Sequence, residues 1–247
     1  MGGALGVMVE TKQSKPEVII TIDGPAGTGK STVAHRLAKK LGLEFLDTGA
    51  MYRAASLIAI EMDIDPNDGP TLARAISAAE MHFDWTSDPP VLELGRRDVS
   101  SRIREMDVSE VVSIVAAQSE VRKALVEQQR IIANRHPRLV TEGRDQGSVV
   151  FPDAAIRFYL EADVQVRANR RVSQLAAAGK PVDEGRVYRD IQERDRLDSQ
   201  RAVGPLVKPH GAVEVDTSTR SIDEVVDVME RAARERLSWA RFKDVER

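Results

Sequence analysis

The chain has 247 residues, 42% of them hydrophobic and 30% charged, with a formal net charge of −3. That length and balance fit one globular domain, or one core domain carrying inserts, and supply no global basic field for a nucleic acid to follow. With no cysteine, disulfides, thiol nucleophiles and Cys-based zinc sites are excluded, and no apolar stretch reaches a membrane-spanning length.

The first 16 residues, with Gly2, Gly3 and Gly6 ahead of Lys12 and Lys15, read as a loose arm. They lack the charged start and long apolar run of a secretory signal, so the cytoplasm is the expected compartment. Val18–Ile22 is an apolar, β-branched run and reads as a strand. Directly after it stand Gly24, Pro25, Ala26, Gly27, Thr28, Gly29, Lys30, Ser31 and Thr32, followed by apolar residues at helical spacing as far as Leu41. G-x-x-x-x-G-K-S between a strand and a helix is a polyphosphate cradle. Its glycines let the main chain approach the oxygens, Lys30 reaches the outer phosphates, and the Ser31 hydroxyl suits Mg²⁺. The positive end of the following helix points at the same anion. A nucleoside triphosphate is the expected ligand.

Glu44–Leu46 is a weaker strand candidate, and Ala50–Met62 reads as a helix. Between them Asp47 or Thr48 is placed to cap that helix, with Arg53 in its first turns. Taken alone, that pattern favours the plain reading of a capped helix with a surface arginine. From about 66 to 114 the texture changes. Pro66, Pro70, Pro89 and Pro90 separate short runs such as Met81–Trp85 and Val91–Leu94, which reads as an inserted α+β subdomain. One long helix is expected over Val108–Asn134. Strands follow at Arg138–Thr141 and Ile156–Leu160, helices at Val164–Ala178 and Asp183–Arg201, a strand at Val213–Asp216, and a helix at Ile222–Ser238. Strands alternating with helices argue for an α/β fold with a parallel sheet covered on both faces. Ligands then gather at the carboxyl ends of the strands.

Three further charged clusters lie just beyond predicted strands or on the helices that follow. Glu142-Gly143-Arg144-Asp145 leaves the Arg138–Thr141 strand, where a phosphate-loop fold places a second metal-organising carboxylate. Arg167, Arg170 and Arg171 share one face at a helix start, where the helix dipole disfavours cations unless an anion or a closing flap uses them. Arg194, Asp198 and Arg201 form one helical stripe, for which an intrahelical Arg194–Asp198 ladder is the plain alternative. Together the clusters suit phosphoryl transfer, in which cationic positioning does most of the catalysis. Arginine forks suit phosphate better than lysine point charges.

In order along the chain, several runs resemble the bacterial-type cytidylate kinases, from about Val18 to Leu237. They are Ile22–Ser31, Leu46–Arg53, Asp98-Val99-Ser100, Ile103-Arg104, Val121-Arg122, Gly143–Asp145, Val149–Ala154, Glu193-Arg194-Asp195 and Arg201-Ala202-Val203. The resemblance implies a phosphate-loop kinase fold with a monophosphate-binding insert near 66–114 and a short lid near 167–179. The core would be 17–65, 115–166 and 180–247. It implies transfer of phosphate from ATP, with Mg²⁺, to CMP or dCMP. It also implies roles. Ser113, Arg122 and Asp145 match positions that read the cytosine ring. Thr48, Arg53 and Arg144 match positions near the acceptor phosphate. Arg194, Asp198 and Arg201 match positions that reach the sugar and phosphate. Lys30, Arg144, Arg167 and Arg171 would act on the transferring group, and Ser31 on the metal. Three positions depart from the family pattern. Thr48 stands where a serine is common, Glu142 where an aspartate is common, and Gln146 where the residue is often apolar. Glu142 is therefore a longer-armed metal candidate.

A sister kinase acting on UMP or another small acceptor is the alternative. A GTPase-type switch would need an N-K-x-D motif, which is absent from the chain. The four histidines share no metal-ligand spacing, and Trp85 and Trp239 read as packing residues. Partners are expected to be nucleotides, with neither nucleic acid nor membrane, and the chain is expected to act as a monomer.

Overall fold

The computed structural model describes residues 17–177 and 179–237, so the N-terminal arm and Trp239 lie outside it. Five strands form one sheet in the order β2-β6-β1-β7-β8: β1 is Val18–Asp23, β2 Glu44–Asp47, β6 Arg138–Gly143, β7 Ile156–Glu161 and β8 Val213–Asp216. Every pairing in it is parallel. All six residues of β1 are buried, as a central strand covered on both faces demands. The fold is the α/β arrangement expected.

Each face of the sheet has its own apolar core. On one side α1 (Lys30–Leu41) and α8 (Ile222–Arg236) bury Val33, Leu37, Val225 and Met229 against Ile20, Ile22 and Phe158. On the other, α2 (Thr48–Glu61) is apolar nearly all round, from Met51 to Ala59, because it is enclosed. It packs under α3 (Gly69–Ala78), α4 (Met106–Ala117) and α5 (Ser119–Arg135). A small antiparallel sheet of β3 (Met81–Asp84), β4 (Val91–Leu94) and β5 (Arg97–Asp98) joins that core through Phe83 and Leu92. The inserted segment thus shares its core with α2 and α5.

The single helix expected over Val108–Asn134 is two. Gln118 adopts extended backbone (φ −72°, ψ 123°), its amide nitrogen caps the Ile114 carbonyl, and α5 restarts at Ser119. No glycine or proline marks the break. Packing decides it, since α4 lies on α2 while α5 turns to meet α3. The remaining helices are α6 (Val164–Ala177) and α7 (Glu184–Gln200).

Candidate active site

The carboxyl ends of β1, β2 and β6 meet on one side of the sheet. β1 runs straight into the phosphate loop. Gly24 sits at φ +150°, and a side chain there would strike the Leu160 carbonyl of β7, so only glycine lets the loop lie this close to the sheet. Lys30 is buried and folds back, its Nζ donating to the Pro25 carbonyl at 2.7 Å. Burial, helped by Arg144 nearby, pulls its ammonium down to about 7.

Ser31 Oγ donates to Glu142 Oε1 at 2.7 Å. The Glu142 side chain thus links β6 to α1. Beside it Asp47 caps α2 by accepting from Ala50 N–H at 2.9 Å. Burial, and then the Glu142 carboxylate, push Asp47 up to about 7. This hydroxyl and two carboxylates form an all-oxygen group beside the phosphate loop, the donor chemistry that Mg²⁺ takes.

Next to it opens a cleft of about 500 Å³, the open solvent at its mouth included. Every residue expected at the acceptor lines it: Thr48, Arg53, Ser113, Arg122, Arg144, Asp145, Arg194, Asp198 and Arg201. Asp145 and Arg122 form an ion pair with both side chains 3% exposed or less. Arg122 also lies over the Tyr52 ring, 5.3 Å from its centroid. Asp198 Oδ2 accepts from Arg144 Nε at 2.8 Å and Asp198 Oδ1 lies 3.6 Å from Arg201. The alternative of an intrahelical Arg194–Asp198 ladder is therefore not formed, because Asp198 turns to Arg144, just after β6, and to Arg201 at the helix end. Burial, then Arg144, lowers Arg194 to about 10. The Nε of Arg194 and Nη2 of Arg201 are buried without a hydrogen-bond partner among the described residues. Buried cationic donors left in this state favour an anion.

The three arginines of α6 do not act as one face. Arg167 is 5% exposed and donates to the Ala26 carbonyl of the phosphate loop at 3.2 Å and to Asp195 at 2.7 Å. Arg170 is spent on the Thr217 hydroxyl and carbonyl after β8. Arg171 is exposed and sits close enough to Arg53 and Arg194 to lower both. Neighbouring elements claim the first two, which a helical wheel does not reveal.

Sequence reasoning missed Gly49, Tyr52, Val112 and Ala116 in the cleft wall. Helical spacing carries a signal for two of them, since Thr48 and Tyr52, like Gly49 and Arg53, are four apart on α2. Gly204 had no such signal. At φ +58° it lies against the Arg122–Asp145 pair, and its carbonyl accepts from Arg201 Nε. Gln146, unexplained in the sequence, is buried and bonded on both ends of its amide.

Residues 20–235 match the family described as "Cytidylate kinase". A cytidylate kinase of Nocardia farcinica is 43% identical over 221 residues, 90% of this chain and 95% of its own. One of Corynebacterium diphtheriae is 45% identical over 214 residues, 86% and 92% of the two chains. One of Bordetella pertussis is 42% identical over 211 residues, 85% and 92% of the two chains.

Proposed function

Given that the chain belongs to the cytidylate kinase family and so phosphorylates CMP or dCMP with ATP, we propose that the arginine-lined cleft is its acceptor site and Gly24–Ser31 its donor site. The observation that carries this is the convergence of all the expected acceptor residues on one cleft beside the phosphate loop. Backbone N–H groups from Ala26 to Thr32 cradle the ATP phosphates, and Lys30 swings from Pro25 to the outer ones. Arg53, Arg144, Arg194 and Arg201 grip the CMP phosphate and hold one of its oxygens in line with the γ-phosphorus. That oxygen forms the new P–O bond as the bond to the β–γ bridging oxygen breaks, and ADP leaves. A phosphate dianion is already the nucleophile, so no general base is needed.

Asp198 accepts from a sugar hydroxyl, and Thr48 supports the phosphate end. Ser113, Arg122 and Asp145 meet the base: the Asp145 carboxylate suits the cytosine N4 donor, and Arg122 suits the O2 and N3 acceptors. Ser31, backed by Glu142, would hold Mg²⁺, which when bound neutralises charge on the β- and γ-phosphate oxygens. Arg171, at the start of the proposed lid, answers charge on the transferring group. Arg167 acts on it indirectly, by holding the phosphate loop. With Arg170 also tied to Thr217, the lid's moving part then begins beyond Arg170 and runs to about 179. We propose a monomer as the working unit. No helix among the described residues is long and apolar enough to cross a membrane. We place the enzyme in the cytoplasm.

Release of ADP with and without CMP tests the reading. Strong CMP dependence is expected, and CMP-independent hydrolysis would overturn it. Rates with UMP near those with CMP would overturn the cytosine assignment. Asp145→Ala is expected to raise KM for CMP at least tenfold while ATP binding stays within about twofold.

A further inference from the structure

The two groups proposed to read the base come from different elements. Arg122 lies on α5 and Asp145 follows β6. They are paired to each other. A base that donates to Asp145 and accepts from Arg122 competes with that pair for both groups, so a second link that keeps α5 and the β6 loop in register matters. A second bridge between the same two elements runs behind the first. Gln146 Nε2 donates to Gln129 Oε1 at 3.1 Å, and Thr141 Oγ1 donates to Gln146 Oε1 at 2.9 Å. Gln129 is two helical turns beyond Arg122, on the same face of α5. Asp23 completes the frame: its two carboxylate oxygens accept from Gln146 N–H and Gly147 N–H, each at 2.7 Å. Asp23, Gln129 and Gln146 are all 1% exposed or less. Asp23 is also the last residue of β1, directly before the phosphate loop.

We propose that Gln146, braced by Asp23 and bonded to Gln129, is a positioning residue for base selection, holding Asp145 and Arg122 at the spacing of a cytosine edge. The proposal rests on the acceptor-site reading above. A buried, hydrogen-bonded bridge of this kind fixes one geometry, where an apolar contact would tolerate a slide. The network also ties the base-reading loop to the strand that feeds the donor loop, so the two nucleotides share one frame.

The test compares Gln146→Leu, the double variant Gln129→Leu with Gln146→Leu, and Asp145→Asn. Each is read as the ratio of kcat/KM for CMP over UMP, the KM for ATP, and Tm. Gln146→Leu is expected to lower the CMP preference roughly tenfold through KM for CMP, with kcat and KM for ATP within about twofold. It leaves Gln129 Oε1 and the Thr141 hydroxyl buried without their partner, so Tm falls too. The double variant removes both amides and leaves only the Thr141 hydroxyl without its acceptor, so Tm is expected to recover in part while the preference stays lost. A preference unchanged in Gln146→Leu, or one that returns with Tm in the double variant, overturns the proposal. Asp145→Asn separates the two levels. If it leaves the preference intact, the base-reading assignment fails and this inference with it. If it abolishes the preference while Gln146→Leu does not, only the inference fails.

Discussion

Gly204 stands against the ion pair proposed to meet the base. Its φ of +58° costs a side-chain-bearing residue about 1–2 kcal/mol. A Cβ there also runs into Asp145 Oδ2 and the Arg122 guanidinium. Gly204→Ala is therefore expected to raise KM for CMP tenfold or more, because the pair must shift to make room, and to leave KM for ATP near its native value. Steady-state kinetics against each nucleotide decide it. Asp23 makes a different prediction, in pH. Burial outweighs its two N–H donors and pushes its carboxyl up to about 7. The native state therefore keeps a proton that the unfolded chain has lost above about pH 4. Its contribution to stability is full below that pH and is lost as pH rises to about 7, an effect on the order of 4 kcal/mol. Asp23→Asn lacks this loss. The stability penalty of Asp23→Asn is expected to shrink steadily from pH 5 to pH 8 in denaturant titrations; a penalty independent of pH would show Asp23 to be ionised throughout.

At the scale of elements, α6 is a strut under the donor loop. Arg167 joins the Ala162 and Ala26 carbonyls to Asp195 of α7, and its Cβ lies 3.1 Å from where one on Gly27 would stand. Arg167→Ala is expected to cost about 2–3 kcal/mol, since it leaves Asp195 unpaired beside the loop. Its kinetic effect falls on KM for ATP and little on KM for CMP. Lysine is expected to be a poor substitute, because one ammonium lacks the fork that serves three acceptors. Adding Asp195→Asn to the alanine variant is expected to return part of the stability in thermal melts, and no return would mean that the pair itself contributes little. The helices themselves were mostly legible, as were all five parallel strands, because apolar periodicity is written locally. The break at Gln118 was not, since it exists only because α4 and α5 have different neighbours.

On the scale of the molecule, a chain of net charge −3 brings five arginines, Arg53, Arg122, Arg144, Arg194 and Arg201, to one cleft. That local field is expected to draw the doubly charged CMP far more than an uncharged analogue. Raising salt from 0.1 to 1 M shortens screening from about 10 Å to about 3 Å. KM for CMP is expected to rise several-fold over that range, while inhibition by cytidine, which lacks the phosphate, hardly changes. Equal salt responses would take the phosphate out of the arginine cluster. The donor loop could be read from sequence because its atoms come from consecutive residues and its chemistry is mostly backbone. The sequence by itself also determined the alternation that makes a parallel sheet, and through the order of its motifs the family. What only the tertiary structure decided is the pairing: Asp198 with Arg144 and Arg201, Arg167 beneath Ala26, Glu142 reaching Ser31, Gln146 bridging to Gln129. Most of these partners lie far apart in sequence, brought together at the ends of β1, β2 and β6. Helical spacing ranks neighbours along one element, whereas a buried charge takes whichever opposite group the packed elements deliver within hydrogen-bond reach.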